Sequence, residues 1–203
     1  MMDKFVWLFG MFLALVFVGC YTMPQFTYTH APIYQGQSKV IEVFVDKQFS
    51  DDDKVSISNA LNDWNYALNG YERFQIVLLD FDMVVSDIRR AERGVLILRI
   101  DSRSRFIPKS DVDGTVVDAF TDKIGGHLIY VVRDRISGQT VLENVLRHEI
   151  GHTLRTRHIM DSKSLMNPVL SPVYSRCIDY ATMKSVAKEQ GLNISHLRYC
   201  RYW

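Results

Sequence analysis

Apolar positions along this chain recur at two spacings, and the switches between them mark out its elements. Lys39 to Asp46 (KVIEVFVD) is rich in β-branched residues and alternates in part, which predicts a strand. Ser50 then precedes Asp51-Asp52-Asp53, with Asp53 three positions on, the pattern of a capping box at a helix start. Ile57, Ala60, Leu61, Trp64 and Leu68 follow three and four apart, so one face of that helix is expected to be buried. Asn69-Gly70 tolerates the left-handed conformation that ends a helix. Phe74 to Leu79 (FQIVLL) and Val95 to Ile100 (VLILRI) read as two more strands, separated by a segment able to form a helix. Near-continuous apolar strands interleaved with helix predict a sheet covered on at least one face.

Farther along, the polar stretch Arg103 to Gly114 is expected to be a loop. Thr115 to Phe120 and His127 to Val132 read as strands on either side of Asp122-Lys123-Ile124-Gly125-Gly126. Thr140 with Glu143 three residues later repeats the capping-box pattern, and Leu142, Val145, Leu146 and Ile150 form the apolar side of the helix it opens. A loop with Pro168 and Pro172 comes next, then a helix opened by Asp179 and closed by Gly191. There is no internal repeat.

The chain has 203 residues and a formal net charge of +1. That length suits one domain with a single core. The balanced charge argues against nucleic acid as a partner. The N-terminus stands apart. Phe5 to Gly19 run apolar without a charge, which is signal-peptide length and short of the roughly 20 residues of a spanning helix. The run closes on Phe17-Val18-Gly19-Cys20, which resembles the bacterial lipoprotein cleavage box with Cys20 as the lipidated residue. An uncleaved membrane anchor extending through Met23 is the alternative. Residues 1–19 are thus expected to be a signal peptide, 20–37 a tether and 38–203 the folded domain, outside the cytoplasm on either reading. Cys177 and Cys200 remain as an even pair in an oxidising compartment, a candidate disulfide, with two buried free thiols as the alternative. A bond between them would close a loop of roughly 24 residues, worth about 3 kcal/mol in the chain-entropy model.

One segment carries chemistry. His148-Glu149-Ile150-Gly151-His152 is an H-E-x-x-H on a predicted helix, where positions four apart share a face, so both imidazoles can reach one ion. Glu149 lies on the same side, able to serve as a base without ligating. His158 follows six positions after His152, and a continuous helix would carry it away, so the chain must turn sharply after about Leu154. Three protein ligands leave one coordination place open, the arrangement of a catalytic rather than a structural zinc.

With SLMNP downstream placing Met166 eight residues after His158, HEIGHTLRTRH resembles the metzincin metalloproteases and, within them, the matrixin-like branch, which read H-E-x-x-H-x-x-G-x-x-H and then a methionine turn. The resemblance implies a metzincin-like α+β fold: a twisted mixed sheet of about five strands with an N-terminal helix, an active-site helix and a C-terminal helix. It implies one catalytic Zn2+ on His148, His152 and His158, Glu149 as general base for a metal-activated water, and Met166 as the apolar floor. It further implies a peptide or protein substrate paired with an edge strand around Val116, Val117 and Ala119. The loop after Met166 would shape a side-chain pocket. Pro168 stands where some members have a tyrosine, and Tyr174 is the nearest tyrosine; both are carried as candidate substrate-binding residues. Arg155 departs from the pattern by replacing the turn glycine, at a cost of roughly 1–2 kcal/mol if it is left-handed.

The expected function is that of a zinc-dependent endopeptidase anchored at the cell envelope. The rivals are a non-catalytic zinc-binding envelope lipoprotein, used as an adhesin or assembly factor, and a peptidase of peptidoglycan cross-links. His127 reads as an ordinary strand histidine, and Asp111-Val112-Asp113-Gly114 as a turn rather than a calcium loop.

Overall fold

The computed structural model describes residues 25–81, 94–110 and 112–202. In chain order these form β1 (Phe26–Tyr28), β2 (Lys39–Asp46), α1 (Asp51–Leu68), β3 (Glu72–Phe81), β4 (Gly94–Ile100), β5 (Ala119–Thr121), β6 (Leu128–Val132), α2 (Gln139–Thr153), α3 (Tyr180–Gln190) and β7 (Cys200–Tyr202). Among the described residues the fold is α+β: a five-stranded mixed sheet in the order β3-β2-β4-β6-β5, a small β1-β7 sheet and three α-helices. The first four strands of the large sheet are parallel, and β5 closes one edge antiparallel to β6, with Phe120 opposite Tyr130.

The period of two along the strands sorts the core. Val43, Val45, Val95, Ile97, Ile129 and Val131 join the buried side chains of the helices in the main cluster. Phe44, Leu96 and Leu98, the alternate positions, form a smaller cluster of their own. Helix α1 starts with the capping box Ser50–Asp53 and ends at Asn69, which is left-handed (φ 52°). Trp64 in the middle of its buried stripe is fully enclosed, and its indole Nε1 donates to the Arg147 carbonyl at 2.9 Å. That bond pins α1 against α2, whose Arg147 also pairs with Asp63 and Glu143.

Two expectations need correction. The edge strand is shorter than Thr115 to Phe120: pairing begins at Ala119, while Val116 is 70% exposed. The ladder stops there because the Arg135 guanidinium takes the Val117 carbonyl at 2.7 Å and Thr115 is folded into a turn with Val112. Thr140 does not cap α2. The cap lies two residues earlier, at Gly138, which offers no side-chain cap. Gln139 is drawn into tertiary bonds with Asp53 and Ser56, and Glu143 turns to Arg147 and Asn59 instead of back to the helix start. Within the stretch expected to be a tether, 20–37, described residues pair with the C-terminal end of the chain. Phe26, Thr27 and Tyr28 pair antiparallel with Tyr202, Arg201 and Cys200, and Asn69 Nδ2 donates to the carbonyls of Pro32 and His196. A disulfide joins Cys177 to Cys200 beside this small sheet.

The apolar run 5–19, Cys20 and the segment between β3 and β4 lie outside the described residues, as do Asp111 and Trp203. No helix among the described residues is long and apolar enough to cross a membrane.

Candidate metal centre

Helix α2 presents His148 and His152 one turn apart, and the chain reverses immediately after it. Arg155 takes the left-handed conformation (φ 69°), and the Thr156 amide donates back to the Gly151 carbonyl at 3.1 Å. This six-to-one bond is the Schellman way of ending a helix, with arginine in the place glycine usually fills. The reversal brings His158 beside the pair. His152 Nε2 lies 3.1 Å from His148 Nε2 and 3.2 Å from His158 Nε2, and the ligand atoms of all three fall within 4.8 Å of one another.

The other ring nitrogens explain why the Nε2 atoms face inward. His148 Nδ1 is 2.8 Å from the Leu165 carbonyl and His152 Nδ1 is 2.7 Å from the Thr156 carbonyl. A carbonyl only accepts, so in each ring Nδ1 carries the proton and Nε2 is left with its lone pair. Burial, followed by the neighbouring His152, pushes His148 down to about 3, and burial pushes His152 down to about 4. Both rings are therefore neutral at neutral pH, the state in which imidazole ligates.

The donor set fits zinc. Metal–nitrogen bonds of about 2.0–2.1 Å in a tetrahedron put the nitrogens about 3.3 Å apart, close to the spacing found here. With their protons on Nδ1, the Nε2 lone pairs of His148 and His152 face each other at 3.1 Å and repel, and a cation between them removes the repulsion.

Met166 is fully buried. A Cβ on Gly151 would come within 2.5 Å of Met166 Sδ, so the variable position of the H-E-x-x-H next to His152 has no room for a side chain. The turn carrying Met166 is held by Asp179, the N-cap of α3. Its Oδ2 accepts from the Leu165 amide at 2.7 Å, the Thr182 hydroxyl at 2.6 Å and the Ser164 hydroxyl at 3.3 Å. Asp179 thereby reaches His148 in two steps, through Leu165.

Glu149 is buried on the cleft side of α2, and its Oε2 accepts from the Thr121 hydroxyl at 2.8 Å. Burial raises its carboxyl to about 7, against the Thr121 hydroxyl and amide, which pull it down. A cleft of about 610 Å³ opens above Glu149 and the histidines. Val116, Val117 and Ala119 line it on the β5 side, with Pro168 and Leu170 on the loop after Met166. Tyr174 opens a 3-10 turn, Tyr174–Arg176, farther along that loop. His127 and Asp113 stay exposed, outside the histidine cluster.

Sequence reasoning passed over Thr121, Gly151 and Asp179. Asp179 was visible only as a helix cap, and the contacts of Thr121 and Gly151 run to residues 28 and 15 positions away. No periodicity could reveal them.

No family model matches the chain, and no curated protein matches it in sequence. Among solved structures it is similar to high choriolytic enzyme 1, a hatching enzyme zinc-protease from Oryzias latipes (medaka fish). Identity is 14% and the TM-score 0.35, over 63% of this chain and 49% of that one. This chain thus matches about half the length of that enzyme, and the likeness is too distant to bear on function.

Proposed function

We propose that the chain is a zinc-dependent endopeptidase of metzincin type, of the matrixin-like branch, held at the cell envelope. The observation that carries this reading is the convergence of three imidazole Nε2 atoms beside a buried glutamate at the floor of an open cleft. Neither an adhesin nor a structural metal site has need of the glutamate or the cleft.

His148, His152 and His158 would hold the metal. Bound zinc supplies a Lewis acid that lowers the pKa of water and polarises a carbonyl. Glu149 takes the proton of the attacking water on its carboxylate and delivers it to the departing amine. Buried on the cleft side and bonded to Thr121, Glu149 is placed beside the histidines to make that two-way transfer. Strand β5 is the edge of the sheet, and an extended peptide laid beside Ala119–Thr121 adds a strand there. Pro168 and Leu170 face it across the cleft and favour an apolar side chain next to the scissile bond.

The envelope location draws support from the apolar run Phe5 to Gly19 with Cys20, and from the Cys177–Cys200 disulfide, which suits an oxidising compartment. In that arrangement residues 1–19 are a signal peptide, and the folded domain takes in the strand Phe26–Tyr28.

The test is digestion of an unbiased peptide library by the full-length protein in detergent. Chelator-sensitive cleavage that disappears in Glu149→Gln is the expected result. Cleavage surviving that substitution would remove the base from the account. A zinc-loaded protein that cuts no peptide would leave a binding protein or an enzyme of another substrate, with muropeptides the next digest.

A further inference from the structure

Thr121 ends the edge strand and touches the base. Its hydroxyl lies 2.8 Å from Glu149 Oε2 and 3.2 Å from the carbonyl of Glu149 itself. Both of those oxygens can only accept from it while the carboxylate is ionised, so the hydroxyl is the donor and one carboxylate oxygen is already engaged. A glutamate side chain has three rotatable bonds, and fixing it costs roughly 1.5–2 kcal/mol of rotamer freedom. The hydroxyl and amide of Thr121 on the neighbouring strand settle which rotamer it takes. That strand has three residues, and its far side is the edge on which an extended peptide would pair.

We infer that Thr121 is a positioning residue. Through its hydroxyl it ties Glu149 Oε2 and couples the seating of peptide on β5 to the placement of the base. This role rests on the peptidase reading above. Valine keeps the β-branched shape of threonine and its fit to a strand, and removes only the donor. A base displaced by about 1 Å loses on the order of 100-fold in rate while ground-state binding is untouched.

The experiment compares full-length zinc-loaded wild type, Thr121→Val, Thr121→Ala and Thr121→Ser on one quenched-fluorescent peptide chosen from those that wild type cleaves. Zinc content and the urea midpoint of each protein are measured alongside. In Thr121→Val and Thr121→Ala, kcat should fall roughly 10- to 100-fold with KM within about twofold and one zinc retained. Thr121→Ser, which restores the donor, should return kcat to within about threefold of wild type. The role is overturned if either donor-less variant that folds keeps kcat within about twofold, or if serine is as impaired as valine. Loss of zinc from the donor-less variants overturns it too, since it assigns Thr121 to the architecture of the centre. Wild type that cleaves nothing, or an active Glu149→Gln, defeats the peptidase reading itself and takes this role with it.

Discussion

The ring of His148 and the peptide of Leu165, separated by 17 positions in sequence, are joined by a 2.8 Å hydrogen bond from Nδ1 to the carbonyl oxygen. The amide N–H of Leu165, in the preceding peptide unit, donates to Asp179 Oδ2 at 2.7 Å. A buried carboxylate at the start of the last helix therefore anchors the residue whose carbonyl orients the candidate ligand His148.

Breaking that relay should weaken the centre without touching a ligand. Asp179→Ala orphans the Leu165 amide and removes the cap of α3, a loss of about 1–2 kcal/mol in stability. Zinc affinity should drop roughly 10-fold, at the lower end of what outer partners of a ligand contribute. Competition against a chromogenic chelator measures it, and unchanged affinity would break the proposed connection to His148.

Gly151→Ala tests the packing against Met166. In an ordinary helix the change stabilises by about 1 kcal/mol. Here the added Cβ meets Met166 Sδ at 2.5 Å and Trp64 Cζ2 at 3.4 Å, and overpacking of that kind costs about 1–3 kcal/mol. The balance predicts net destabilisation, read as a lower urea midpoint; a gain in stability would show Met166 free to move aside.

Arg155 occupies a left-handed position at φ 69°. Glycine there relieves about 1–2 kcal/mol of strain, offset by about 0.5–1 kcal/mol of added unfolded-state freedom. It also loses the arginine stem packed near Gly125, where a Cβ would come within 2.9 Å of Arg155 Cγ. Arg155→Gly should raise stability by about 0.5 kcal/mol and retain zinc. A clear loss of stability would mean that the stem contact outweighs the strain.

The burial of Glu149 makes a prediction about pH. In the metal-free protein its carboxyl is raised to about 7, above its ordinary 4.5. The stability tied to it is therefore complete below about pH 4.5 and lost as pH rises through about 7. Glutamine has no proton to lose, so metal-free Glu149→Gln should exceed wild type by up to about 3 kcal/mol at about pH 8. The gap should close on acidification to about pH 4.5. His148 and His152, both lowered, act in the opposite direction. Their contribution is present above about 6.5 and falls away towards about 4 and 3, and it is common to both proteins. Urea titrations across pH decide it, and a gap independent of pH would show the carboxyl to be solvated.

How far the sequence reaches depends on how local the cause is. The first helix was legible to the residue, because Ser50, Asp53 and Asn69 satisfy its ends from within a few positions. The last helix was legible for the same reason, through Asp179 and Gly191. The start of α2 was misplaced because Gln139 and Glu143 bond to α1 and Arg147 rather than to their own helix end. Strand β1 left no local trace, since three residues paired with a segment at the other end of the chain have no period to show. At the site, the H-E-x-x-H spacing announced the pair of imidazoles. The partners that orient them are backbone carbonyls of Leu165 and Thr156, which every residue type possesses and no composition betrays.

The central claim is that three imidazoles share one zinc ion. Anomalous diffraction at the zinc edge from crystals of the full-length protein tests it most directly. The account predicts a single peak about 2.0–2.1 Å from Nε2 of His148, His152 and His158 together. A peak held by the first two with His158 turned away, or no peak from zinc-replete crystals, would contradict it.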